Sequence, residues 1–169
     1  MARPRSEIDQ TQADVAAYVA VGADESVQRI ITAVHRLSKR LNQWYDRQLA
    51  DLDVSTGEWT VLQELAREPA PGAITPSRLA AAASVAPSSM THRLDRMVER
   101  GLVTRGADPD NRTRVLIRLS ERGRQTFTTA ILESNVVESD LMASLSARQS
   151  EQLIGLLERL IQGLDDTDL

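Results

Sequence analysis

The stretch APSSMTHRLDRMVERGLV, residues 86–103, decides how the chain is read. At 100° per residue it predicts a helix with Met90, Leu94, Met97 and Val98 on one face. Pro87 stands near its start, where a missing N–H costs little, and Gly101 ends it. The opposite face carries Ser88, Ser89, His92 and Arg96, with Arg93 at its margin. A face that serves only solubility is usually a mixture of glutamate and lysine. This one offers hydroxyls, an imidazole and guanidinium groups.

Working outward, Thr75 caps a short upstream helix, PSRLAAAAS, with Pro76 at its first position. Its alanines let another helix pack closely, and a turn at residues 84–86 leads into the quoted helix. Downstream, LVTRG predicts a short strand and ADPDN a turn. RTRVLIRLS then predicts a second strand, in which Val115, Ile117 and Leu119 alternate with Leu116, Arg118 and Ser120. Helix, tight turn, helix and charged hairpin is the order of a winged helix-turn-helix. Duplex DNA suits it: the second helix fits the major groove, where Ser88, Ser89, His92, Arg93 and Arg96 are the candidate contacts. The wing arginines Arg112 and Arg114 are candidates for the phosphates or the minor groove.

The flanks are helical. Residues 1–23 are weakly patterned, with a short extra helix expected in DQTQADVAAYVAV. From Asp24 to about Leu52 a long helix is predicted through Val27, Ile30, Ile31, Val34, Leu41, Trp44 and Tyr45. Ser55 with Glu58 forms a capping-box pattern that opens the next helix, and REPAPG breaks it. After Ser120 two more helices follow, separated near SLSA. The second opens on Ser146 and Gln149 and carries Leu153, Ile154, Leu157, Leu160, Ile161 and Leu164. The expected fold is mainly α with a small β-hairpin wing. Residues 1–23 form an extension, 24–54 and 120–169 a helical dimerisation lobe, and 55–119 the winged helix-turn-helix lobe. The apolar stripes flanking the basic block are too extended for one small lobe to bury, which predicts a second subunit.

Charge is distributed to match. The net charge is −4 over 169 residues, yet residues 75–124 hold ten arginines and five acids, a net of +5. The remainder therefore carries −9, so one part of the chain is suited to a polyanion. With no cysteine, disulfides and thiolate metal sites are excluded. His35 and His92 lie far apart, and no metal or cofactor is expected. No apolar run approaches the roughly 20 residues of a membrane span, so a cytoplasmic protein without a membrane partner is expected. No nucleophile–base pair, phosphate-cradling glycine loop or carboxylate pair at a recognisable spacing suggests an enzyme.

Three stretches together resemble the multiple-antibiotic-resistance regulator (MarR) family: VSTGEWTVL (54–62), residues 74–105, and DPDNRTRVLIRLSERG (108–123). The last is similar to the family's wing signature, in which Arg112 matches the first wing arginine. Asn111 stands for an acid, Thr113 for the second arginine and Ser120 for a threonine. The resemblance implies a homodimeric transcription factor, commonly a repressor, that leaves a pseudo-palindromic operator when a small effector binds. The chain looks closest to the urate-responsive, PecS-like branch. There the resemblance implies a ligand between the dimer and DNA-binding lobes, held by an N-terminal aromatic residue (Tyr18), an acid on the second helix and two arginines (Arg93 and Arg105). The acid's position falls on Thr60, which supplies no carboxylate. Two arginines without that acid suit a different anion, such as a small carboxylate. Trp44, Tyr45 and Trp59 are further candidates for the cleft, against the alternative of core packing. Arg93 and Arg105 lie at the two ends of the recognition element, so an anion bridging them to the first helices is expected to hold the DNA-binding lobes off register. The alternative to a regulator is a protein-interaction module on the same scaffold without DNA binding.

Overall fold

A computed structural model describes residues 6–68 and 73–166. The REPAPG break falls largely outside the described residues. The chain divides into two compact units, Met1–Thr60 and Val61–Leu169.

The first unit is built on two helices, α1 (Glu7–Val19) and α2 (Glu25–Asp51). Ser6 and Asp9 form a reciprocal capping box at the start of α1, and the Asp24 carboxylate accepts from the Val27 N–H to start α2. The extra helix expected in the N-terminal extension is therefore present. It runs antiparallel to α2, since Glu7 reaches Arg36 and Arg40 while Asp14 also reaches Arg36. Val15 and Thr32 are buried. By contrast Val27, Ile30, Ile31, Val34 and Leu37 on α2 stay exposed.

Helix α3 (Thr56–Arg67) crosses from the first unit into the second. Ser55 and Glu58 exchange capping hydrogen bonds at its start: Ser55 N–H donates to Glu58 Oε2 at 2.9 Å, and Glu58 N–H to Ser55 Oγ at 3.3 Å. Glu58 is buried, yet its carboxylate is satisfied by this box.

The second unit continues with α4 (Pro76–Ala82), α5 (Pro87–Glu99), strands β1 (Val103–Ala107) and β2 (Val115–Leu119), then α6 (Glu121–Met142) and α7 (Ala147–Asp165). The strands pair antiparallel, with Arg105 opposite Ile117. Ile74 adds a short bridge to Ile117 that ties the segment before α4 to the sheet. The core is formed by Leu62, Leu79, Met90, Leu94, Met97, Leu102 and Ile117, all essentially inaccessible. The second strand starts later than the sequence suggests. Arg112 and Arg114 precede it, in a loop that Asp108 N–H closes by donating to the Arg114 carbonyl at 2.9 Å. Helix α7 opens on the expected Ser146–Gln149 capping box but has no buried residue.

Candidate nucleic-acid interface

The α4–turn–α5 unit places the candidate face. Thr75 Oγ1 accepts from the Arg78 N–H, starting α4 beside Pro76. The chain reverses through Ser84, which takes φ 51°, with Val85 N–H donating to the Ala80 carbonyl at 3.0 Å. A left-handed serine is uncommon, and the buried Leu79, Ala80 and Met90 on either side hold the turn. Helix α5 then turns Met90, Leu94 and Met97 inward, all at 0% exposure. Ser88, Ser89, His92 and Arg96 point to solvent, and Arg93 is half-buried. Val98, expected on the inner face, is at its edge and 39% exposed.

Gly101 takes φ +67° and turns the chain from α5 into β1. The next contact explains the last glycine of the wing signature. Ser120 Oγ donates to the Gly101 carbonyl and accepts from the Gly123 N–H. A Cβ on Gly123 would lie 1.9 Å from the Leu102 carbonyl oxygen. Only glycine lets the start of α6 come this close to the α5–β1 corner.

The wing is braced internally. Asn111 Oδ1 accepts from the Thr113 N–H at 3.1 Å and from Thr113 Oγ1 at 2.7 Å. Two of the three departures from the family signature, Asn111 and Thr113, thus brace each other with hydrogen bonds in place of charges. Arg114 lies 3.8 Å from Asp108, whereas Arg93, Arg96 and Arg112 make no ion pair among the described residues. These three cations keep their charge available to an outside partner.

Arg105 is differently placed. It projects from β1 to α5, pairing with Asp95 at 2.7 Å and reaching the Thr91 carbonyl at 3.5 Å. Thr91 and Asp95 are one turn apart; Arg93, between them in sequence, is on roughly the opposite side of the helix. The two arginines named for an effector therefore flank α5 and do not meet. In the first unit Tyr18 lines a cavity between α1 and α2. Trp44 packs edge-on against Tyr45, with ring centroids 5.3 Å apart. Trp59 is half-buried, and Thr60 Oγ1 donates to the Thr56 carbonyl at 3.1 Å. The sequence offered no signal for the Arg105–Asp95 pair, because it joins a strand and a helix across the corner at Gly101.

This geometry defines a winged helix-turn-helix: α4 and α5 joined by a tight turn, with a two-stranded wing beside them. Residues 51–112 match the family model described as MarR family. The chain is 28% identical over 131 residues to the HTH-type transcriptional regulator PecS of Dickeya dadantii, covering 78% of this chain and 79% of that protein. It is 32% identical over 116 residues to a putative transcriptional regulatory protein for the hcr operon of Thauera aromatica, covering 68% and 67%. A mutant MarR from E. coli, solved in complex with operator DNA, is similar with a TM-score of 0.54 and 28% identity, covering 77% of this chain and 94% of that one. The protein belongs to the MarR family of transcriptional regulators. Its relatives are regulators and not enzymes, and among the described residues no helix is long and apolar enough to cross a membrane.

Proposed function

We propose that the protein is a cytoplasmic, homodimeric, DNA-binding repressor that leaves a pseudo-palindromic operator when a small anionic or aromatic effector binds. One observation carries the DNA reading: α5 has its apolar side sealed in the core and its other side lined by Ser88, Ser89, His92 and the unpaired Arg96. In this reading α5 enters the major groove, with His92 and Arg96 one turn apart on the side facing base edges. Ser88 and Ser89 meet the backbone near the start of the helix, Arg93 reaches a flanking phosphate, and Arg112 and Arg114 follow the wing along the backbone or into the minor groove. The E. coli regulator solved with operator DNA supports this use of the fold.

The homodimer reading is supported by the apolar residues that one chain leaves uncovered: Ile30 and Val34 on α2, Val136 on α6, and Leu157 and Ile161 on α7. Residues 24–54 and 120–169 supply this dimerisation surface, and 55–119 the DNA-binding lobe. A two-fold pair places its α5 helices about one helical turn of DNA apart, roughly 10 base pairs. Effector release involves Arg93 and Arg105 on the two sides of α5. An anion that takes Arg105 must compete with Asp95, and so loosens the wing from α5.

A gel-shift titration against the DNA flanking the gene tests the DNA reading. Affinity is expected to fall steeply with salt, and His92→Ala with Arg96→Ala to weaken binding by at least tenfold. Unchanged affinity in that double variant would overturn the reading.

A further inference from the structure

Between α1 and α2 of the first unit lies a cavity of about 480 Å³, a volume typical of small-molecule sites, which span about 300–1,000 Å³. It shares no residue with the α5 face or the wing. Its charges are unequally satisfied. The carboxylates of Glu7 and Asp14 both end on Arg36, at 3.0 and 2.6 Å, and Glu7 also meets Arg40 at 3.2 Å. Both acids are thereby neutralised. His35 and Lys39, which line the same cavity, make no hydrogen bond or ion pair among the described residues. Arg36 Nε is buried without a partner, so a further donor is left unmet. The hydrogen-bonding capacity left over is rich in donors and cationic. An apolar wall adjoins it: Ile31 and Tyr18 line the cavity while remaining 44% and 49% exposed.

The order of these groups fixes the shape of a ligand. Ile31, His35 and Lys39 follow one another at four-residue spacing and form one row along α2, about 6 Å between neighbours. We infer that this groove binds a small organic anion with a flat apolar body. Its anionic end lies between His35 and Lys39, and its body rests between Ile31 and Tyr18. Charge-assisted hydrogen bonds to the anion supply orientation, and cover for Ile31 and Tyr18 supplies apolar contact. A neutral ligand of the same shape loses the first contribution and keeps the second.

The test uses the full chain without DNA, so its outcome does not depend on operator binding. Amide chemical shifts are followed by NMR while 2-naphthoate, and separately the neutral 2-naphthamide, are titrated in. Saturable shifts centred on α1 and residues 28–39 of α2 are expected with naphthoate, and binding at least tenfold weaker with the amide. His35→Gln with Lys39→Met is expected to remove that preference for the anion without changing helical content by circular dichroism. The amide comparison needs no variant and stands even if the double variant folds poorly. Absence of saturable shifts, equal binding of anion and amide, or shifts centred instead on Arg93 and Arg105 would each overturn the inference.

Discussion

Helices α5 and α7 are both amphipathic, yet they meet opposite fates. Met90, Leu94 and Met97 of α5 are at 0% exposure, whereas on α7 Leu157 is 38% and Leu164 62% exposed. The difference is one of neighbours. Helix α5 is backed by α4 on one side and the start of β1 on the other, which leave no apolar edge open beyond Val98. Helix α7 has no buried residue, so among the described residues nothing seals its apolar stripe. A buried apolar face with a polar, cationic outside marks a helix whose exposed side is free for recognition. An open apolar face marks a helix completed by something else, here read as a second copy. The same kind of pattern therefore signals two functions, and burial tells them apart.

The corner that holds α5 to β1 is the most sensitive point of the second unit. Gly123→Ala drives a methyl group into the Leu102 carbonyl, and because the methyl has no rotamer freedom and the oxygen it meets is backbone, relief requires the start of α6 to move. This is expected to be the most damaging alanine substitution among the glycines of the second unit, visible as loss of the cooperative thermal transition. Leu94→Ala is next: an inaccessible leucine is removed, at a cost of about 2–5 kcal/mol in a denaturant titration. Leu157→Ala on α7 should cost the isolated chain far less. Its effect should appear in sedimentation as weaker self-association, and a loss of stability equal to that of Leu94→Ala at high dilution would contradict the contrast.

Smaller effects are expected at the surface. The Arg105–Asp95 pair is partly exposed, so a double-mutant cycle with Asp95→Asn and Arg105→Gln should give a coupling of about 0.2–1 kcal/mol in stability. Its larger consequence is expected in operator affinity, because it ties the wing to α5. The smallest difference lies in acid. Asp24 is held below its ordinary 3.8 by the Ser26 hydroxyl and then by the Val27 N–H. Asp9 is held below 3.8 by the side chain and then the backbone of Ser6. Carboxyls depressed by folding contribute stability above the unfolded value, and that contribution is lost as pH falls through the folded one. Helix α5 begins at Ala86 with no side-chain cap. Hydrogen exchange below pH 4 should therefore rise at the starts of α1 and α2 before it rises at the start of α5.

Local chemistry made much of this legible. Thr75–Pro76, Ser55–Glu58 and Ser146–Gln149 mark helix starts within a few residues, because a cap is a contact between neighbours in the chain. The 3.6-residue spacing of Met90, Leu94 and Met97 fixed which side of α5 faces inward, and so which side displays Ser88, Ser89, His92 and Arg96. The stretch RTRVLIRLS places the start of β2 at Arg112, earlier than the observed Val115, because the Asn111–Thr113 hydrogen bonds keep the first residues in the loop. The split in charge, +5 against −9, located the basic block without any structure.

Tertiary structure alone decided what depends on distant partners. Arg105 finds Asp95 and Ser120 finds the Gly101 carbonyl because β1 folds back beside α5. Gly123 closes the wing signature in sequence, and only in space is it seen to be required by the closeness of another backbone. The stripes of α2 and α7 read in sequence as too extended for one small lobe, but periodicity does not say which of their residues stay uncovered, and only the fold singles out Ile30 and Val34 or Leu157 and Ile161. Order along the chain sets local conformation through short-range hydrogen bonds and sterics. Burial and ion pairing are set by which distant segments meet, and only the assembled fold supplies that.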